Sequence, residues 1–248
     1  GLALRRAAQL PAARIEPLAR AQALECLLTG QIDEAAQAAL LALSQAGARP
    51  LAQAEHLGLL ARIEWTRGRA EAGLAHAEAA VALLTEHAAD SPALARALAS
   101  RAQLHLLDDD PSPALRGAAQ ALALFDRLGD PAGALGARTT LASARLGGPD
   151  EGLGTAELHA ALAQAQAGGQ EELAARAWTN LASAALVASR YDELDRLCAA
   201  GLAFCEARDL DLFAVPCRYA CARPAATSPA ATGRPARRGC ASCGPAAI

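Results

Sequence analysis

Turn signals recur along this chain at Gly30, Gly68, Asp109, Gly147 and Ser189, with gaps of 38, 41, 38 and 42 residues. Each gap holds two stretches of helical periodicity. Spacing of this kind is the signature of helical solenoids, in which no single unit can bury its apolar face alone. The composition agrees. Ala and Leu, the strongest helix formers, carry most of a 53% hydrophobic share, while aromatic residues make up only 3%. Val, Ile, Tyr and Phe are scarce, which excludes an all-β fold and a doubly wound sheet.

The helical stretches read Leu18 to Thr29 and Ile32 to Ala46, Leu51 to Arg67 and Ala70 to His87, Pro92 to Leu107 and Ser112 to Leu128, Pro131 to Leu146 and Asp150 to Ala167, and finally Glu171 to Ser189 and Asp192 to Ala207. Asp90-Ser91-Pro92 and Asp130-Pro131 place a capping side chain before a proline in the first turn. Gly47, Gly129 and Gly168-Gly169 follow second helices, where a left-handed residue is needed. The fifth pair is the clearest: Trp178-x-x-Leu181-Ala182-x-x-Ala185, then Ser189-Arg190-Tyr191-Asp192-Glu193-Leu194 and Gly201. Gly30-Gln31-Ile32-Asp33-Glu34-Ala35 and Gly68-Arg69-Ala70-Glu71 repeat its turn. Small residues on facing helices allow the close approach that a hairpin needs. The pattern resembles the tetratricopeptide repeat. The expected fold is all-α: a tetratricopeptide-like right-handed solenoid of about five helix hairpins with a disordered C-terminal tail. An Ala-rich bundle without regular stacking would share the composition but not the register.

Three segments are expected. Residues 1–16 read as a partial helix or linker, 17–212 as the repeat domain, and 213–248 as a separate tail. The tail holds no Leu, Asp or Glu, but five of the 13 Pro and four of the seven Cys. Residues 1–212 carry 18 Arg against 26 acids, and the tail is +5, for a net −3. Such a segment buries too little apolar surface to offset its ordering entropy. It breaks off in what should be the next helix, with Pro216 near the start, and it reads as the product of a shifted frame. The chain begins at Gly1 rather than Met, as a piece of a longer protein would.

Catalytic chemistry finds no foothold. All 23 basic residues are Arg, so no phosphate-binding loop with its Lys exists in this chain. Cys217-x3-Cys221 and Cys240-x2-Cys243 lack the paired spacing of a zinc ribbon. Cys26, Cys198 and Cys205 fall on helix faces as core residues. His56, His76, His87, His105 and His159 are scattered over different repeats, and Asp108-Asp109-Asp110 reads as a capping loop before Pro111. The chain is expected to be a non-enzyme without cofactor, metal or membrane span, and to be cytoplasmic. The candidate surface is the concave face lined by first helices, where the repeat register places Arg20, Arg62, Trp65, Gln103, Arg176 and Asn180. Arg pairs with carboxylates and Asn with peptide backbone, and Trp65 is the natural partner anchor. An ordinary solvated helix face is the competing reading of the same residues.

The stretch EELAARAWTNLASAALVASRYDELDRLCAAGLAFCEARDLD, from Glu171 to Asp211, resembles the helical-repeat region of large LuxR-family regulators that carry an ATPase domain. The run ECLLTGQIDEAAQAALLAL, Glu25 to Leu43, looks like an earlier repeat of the same region. The resemblance spans roughly residues 10 to 212. It implies a central sensor segment flanked, in a full-length relative, by an N-terminal nucleotide-binding domain and a C-terminal helix-turn-helix. Its partner would be a protein, peptide or small-molecule effector on the concave face, with no direct nucleic acid binding by this segment. The alternative function is a free-standing repeat adaptor that scaffolds other proteins.

Overall fold

The computed structural model describes residues 12–146, 148–210 and 213. Among them are ten helices and no strand. They are α1 (Ala12–Leu28), α2 (Ile32–Gln45), α3 (Pro50–Thr66), α4 (Ala70–His87), α5 (Pro92–Leu107), α6 (Pro111–Leu128), α7 (Pro131–Arg145), α8 (Glu151–Ala167), α9 (Glu171–Val187) and α10 (Tyr191–Glu206). Nine of the ten start within two residues of the sequence expectation. The exception is α1, which begins at Ala12 and runs across the expected 16/17 boundary with Pro17 inside it. Tertiary contacts outweigh the proline: Glu16 is tied to Arg49 and His56, and Ala19 and Ala23 are fully buried.

The turns explain the periodicity. Gly30 and Gly68 hold φ of 74° and 75°, and the equivalent Asp109 and Ser189 hold φ of 59° and 58°. The left-handed residue thus persists at the hairpin corner even where its side chain makes it costly. Both expected N-caps form. The Ser91 hydroxyl accepts from the Leu94 amide at 3.1 Å, and Asp130 accepts from the Gly133 amide at 2.9 Å.

The described residues fall into two compact units that meet within α7, between Thr140 and Leu141. In the first, each helix packs on its sequence neighbours. One buried cluster joins α1, α2 and α3 through Ala23, Ala35, Ala39, Leu60 and Ile63. A second joins α3 to α7 through Ala54, Val81, Leu98, Leu124, Phe125 and Ala137. These clusters follow one another along the chain, with no common centre. Alanine-lined contacts let the helices approach closely. At Gly73 of α4 an added methyl would lie 2.9 Å from the Ala61 carbonyl oxygen and 3.3 Å from the Trp65 nitrogen of α3. In the second unit α8 packs on α9 and α9 on α10. There Phe213, the first residue of the compositional tail, is helical and 8% exposed, and it packs with Ala175 and Cys205. Gly147, the rest of the tail with its Cys pairs, and residues 1–11 lie outside the described residues. No described helix is long and apolar enough to cross a membrane.

Candidate functional site

The second helices α2, α4 and α8 pack on the first helix of the hairpin that follows, and the first helices keep exposed positions such as Arg20, Glu55 and Arg62. The six expected surface residues divide between the two units. Arg20, Arg62, Trp65 and Gln103 belong to the first; Arg176 and Asn180 belong to the second.

Arg20 is exposed on α1 and pairs with Glu55 of α3 at 2.5 Å. Arg62 is exposed on α3 and forms no ion pair among the described residues. Trp65 departs from the expectation of a free anchor. It is half-buried and packs, as Leu74 does, against a buried cluster of Ala61, Ala77 and Leu104. The glycine contact at Gly73 draws α4 close enough for the indole to rest on it. Gln103 is half-buried on α5. In the second unit, the Asn180 amide donates to the Ser143 hydroxyl at 2.7 Å, so it joins α9 to α7. Arg176, one turn earlier, is only partly exposed. Desolvation lowers its pKa to about 10, partly countered by Glu172.

Two charged arrangements escaped the sequence reading. A shallow groove of about 590 Å³ is lined by Gly30 to Glu34, Arg67 and Arg69. Its charges are largely satisfied among themselves. Arg67 bonds Glu64 at 2.8 Å and Asp33 at 2.9 Å, and the Glu64 bond is the main cause that raises its pKa. The second arrangement joins Glu16 of α1 to Arg49 and to His56, whose Nε2 lies 2.9 Å away and whose ring is 1% exposed. The Arg49 hydrogen bond, then that of His56, holds the Glu16 carboxyl below the ordinary range.

Six of the ion pairs share a spacing: Glu16 with Arg49, Arg20 with Glu55, Asp33 with Arg67, Asp90 with Arg127, Glu151 with Arg190 and Glu171 with Arg208. Their separations run from 33 to 39 residues, close to one hairpin. In four of the six the acid and base sit on successive hairpins and stitch them together, while Asp90 with Arg127 and Glu171 with Arg208 tie the start of one hairpin to its end. The repeat period was visible in the sequence and would have found these pairs had it been applied to charges as well as to turns.

Among the described residues no group of His, Cys, Asp or Glu is placed to hold a metal ion. Cys26, Cys198 and Cys205 are buried thiols. Burial pushes the Cys205 thiol up, away from the thiolate form that nucleophilic chemistry needs.

No family model and no curated protein matches the chain. Solved structures do. The chain is similar to the Rap protein complexed with Competence and Sporulation Factor, with a TM-score of 0.73 at 13% identity. The match covers 85% of this chain and 59% of the Rap chain. It is similar to BtubC (BKLC) from P. vanneervenii, with a TM-score of 0.63 at 20% identity over 83% of this chain and 86% of that one. It also resembles the nearly identical TPR-like repeats of a putative kinesin light chain from Podosopora anserina. There the TM-score is 0.57 at 16% identity, over 79% and 95% of the two chains. The fold is tetratricopeptide-like. At these identities the likeness speaks for the repeat architecture alone.

Proposed function

We propose that this tetratricopeptide-like chain is a non-catalytic binding segment that receives a protein or peptide on the solvent side of its first helices. Arg62 carries the reading. It is an exposed cation on α3 that forms no ion pair among the described residues, three residues before the half-open indole of Trp65, whereas Arg20, Arg67 and Arg101 are each taken up by an acid of an adjoining hairpin. The test is a comparison of the full wild-type chain with Arg62→Glu and Trp65→Ala variants in cross-linking pull-downs. Partners retained by the wild type and lost with both variants support the reading. Retention of every partner by both variants overturns it.

Within this reading the chain is the sensor segment of a cytoplasmic LuxR-family ATPase regulator. It couples effector binding to DNA-binding control through flanking ATPase and helix-turn-helix domains. The Glu171 to Asp211 sequence supports this. A free-standing adaptor is the second reading, and the structural resemblance to kinesin light chain repeats favours it equally. Coding DNA on either side separates them. A nucleotide-binding domain upstream and a helix-turn-helix downstream support the regulator; their absence supports the adaptor.

A further inference from the structure

The solvent side of α3 carries a stripe that the packing of the chain does not explain. Leu51, Glu55, Gly58, Arg62 and Trp65 recur three or four residues apart and therefore share one side of the helix. Leu51 is 54% exposed, Glu55 and Arg62 are exposed, and Gly58 and Trp65 are half-buried.

Gly58 is the anomaly. A glycine inside a helix costs about 0.5–1 kcal/mol relative to alanine. At three other helix glycines the cost has a visible cause: a methyl group on Gly73, Gly117 or Gly154 would meet the adjoining helix at 2.9, 3.1 or 2.7 Å. A methyl group on Gly58 would meet nothing within 4 Å, and Gly58 is not among the residues with positive φ. Gly152 shares the open space but sits in the first turn of α8, where little helix is lost. At Gly58 the fold gains nothing from the missing side chain, and the helix backbone is bared in the middle of the stripe. Glycine at such a place lets a second backbone come close.

The charges say what kind of backbone. Arg20 is already held by Glu55 at 2.5 Å, which leaves Arg62 as the open cation of the stripe. The second helices of this unit, α2, α4 and α6, carry six acids and two Arg, so an anion is repelled from their side. Trp65 offers a flat apolar surface supported by the cluster of Ala61, Ala77 and Leu104, and Leu51 ends the stripe with another. From Leu51 to Trp65 the helix rises about 21 Å, the span of roughly six residues of extended chain.

We propose that this stripe is the docking site for a short extended segment of a partner protein that carries an acidic side chain. Its backbone lies over Gly58, its carboxylate pairs with Arg62, and its apolar side chains cover Trp65 and Leu51. This rests on the binding reading above and names the face and the chemistry of the partner. The test uses the full chain and fluorescence anisotropy of a short fluorescein-labelled peptide of Leu, Glu and Ser, with Lys-for-Glu and Gln-for-Glu versions as controls. The Glu peptide is expected to bind the wild type in preference to both controls. Arg62→Glu is expected to weaken it about tenfold or more. Gly58→Gln is expected to weaken it comparably while leaving the melting temperature unchanged or higher, and Gly152→Gln to leave binding intact. Failure of the Glu peptide to bind, or binding as tight as the wild type's by either the Gly58→Gln or the Arg62→Glu variant, overturns the site. If proteins are still captured in pull-downs in that case, and lost with Trp65→Ala, the broader binding reading stands without this partner chemistry.

Discussion

Replacing Gly73 with Ala places one methyl group between two helices at a point where only backbone surrounds it. The new carbon would lie 2.9 Å from the Ala61 carbonyl oxygen and 3.3 Å from the Trp65 nitrogen. Neither atom belongs to a flexible side chain, so the helices themselves must separate. Overpacking of this kind costs about 1–3 kcal/mol, against a helix-propensity gain of about 0.5–1 kcal/mol. The net expectation is a loss of about 1 kcal/mol. Gly58→Ala on the facing helix has the propensity gain and no clash, so it is expected to add about 0.5–1 kcal/mol. The two substitutions are chemically identical and less than a helix length apart, so they should move stability in opposite directions by about 2 kcal/mol in total. For a chain of this size that is a gap in melting temperature of about 4–8 °C. Thermal unfolding followed by circular dichroism at 222 nm reads it directly. A Gly73→Ala protein that melts with or above the wild type would refute the close α3/α4 approach, and a Gly58→Ala protein that melts lower would refute the open space at Gly58.

Ser189 holds a left-handed backbone with φ of 58°, and Ser189→Gly is expected to stabilise by about 1 kcal/mol, measured in urea; an unchanged midpoint speaks against that corner geometry. Because Arg49 and His56 lower the Glu16 pKa, its contribution is present above the unfolded value and is lost as pH falls through the folded one. Glu16→Gln should therefore destabilise at neutral pH and flatten the acid limb of the stability profile, and a variant curve parallel to the wild type at every pH would count against the pairing. Phe213→Ala removes a ring that is 8% exposed against Ala175 and Cys205. A loss of about 3 kcal/mol is expected, whereas no change in unfolding would return Phe213 to the compositional tail.

The hairpins were legible because their ends are written in residues with strong local rules. Gly30, Gly68, Asp109 and Ser189 all occupy left-handed corners, and Ser91 and Asp130 both cap. The start of α1 was hidden by Pro17, a residue that locally opposes a helix and is overruled by Glu16 and its distant partners. The candidate surface was legible by position but not by environment. The repeat register put Arg62 on an exposed side, yet it could not show that Trp65 rests on Ala77 or that Asn180 is taken up by Ser143, since those depend on how closely two helices approach. Gly58 was silent because a helix glycine means little until its surroundings are known to be empty.

The acid–base pairs set one hairpin apart imply how such a chain can change length. Gaining or losing a complete period carries each cation along with the spacing that finds its carboxylate, so the stitching survives. A slip of three or four residues inside a period has no such protection, and it would leave charges on adjoining hairpins facing empty water.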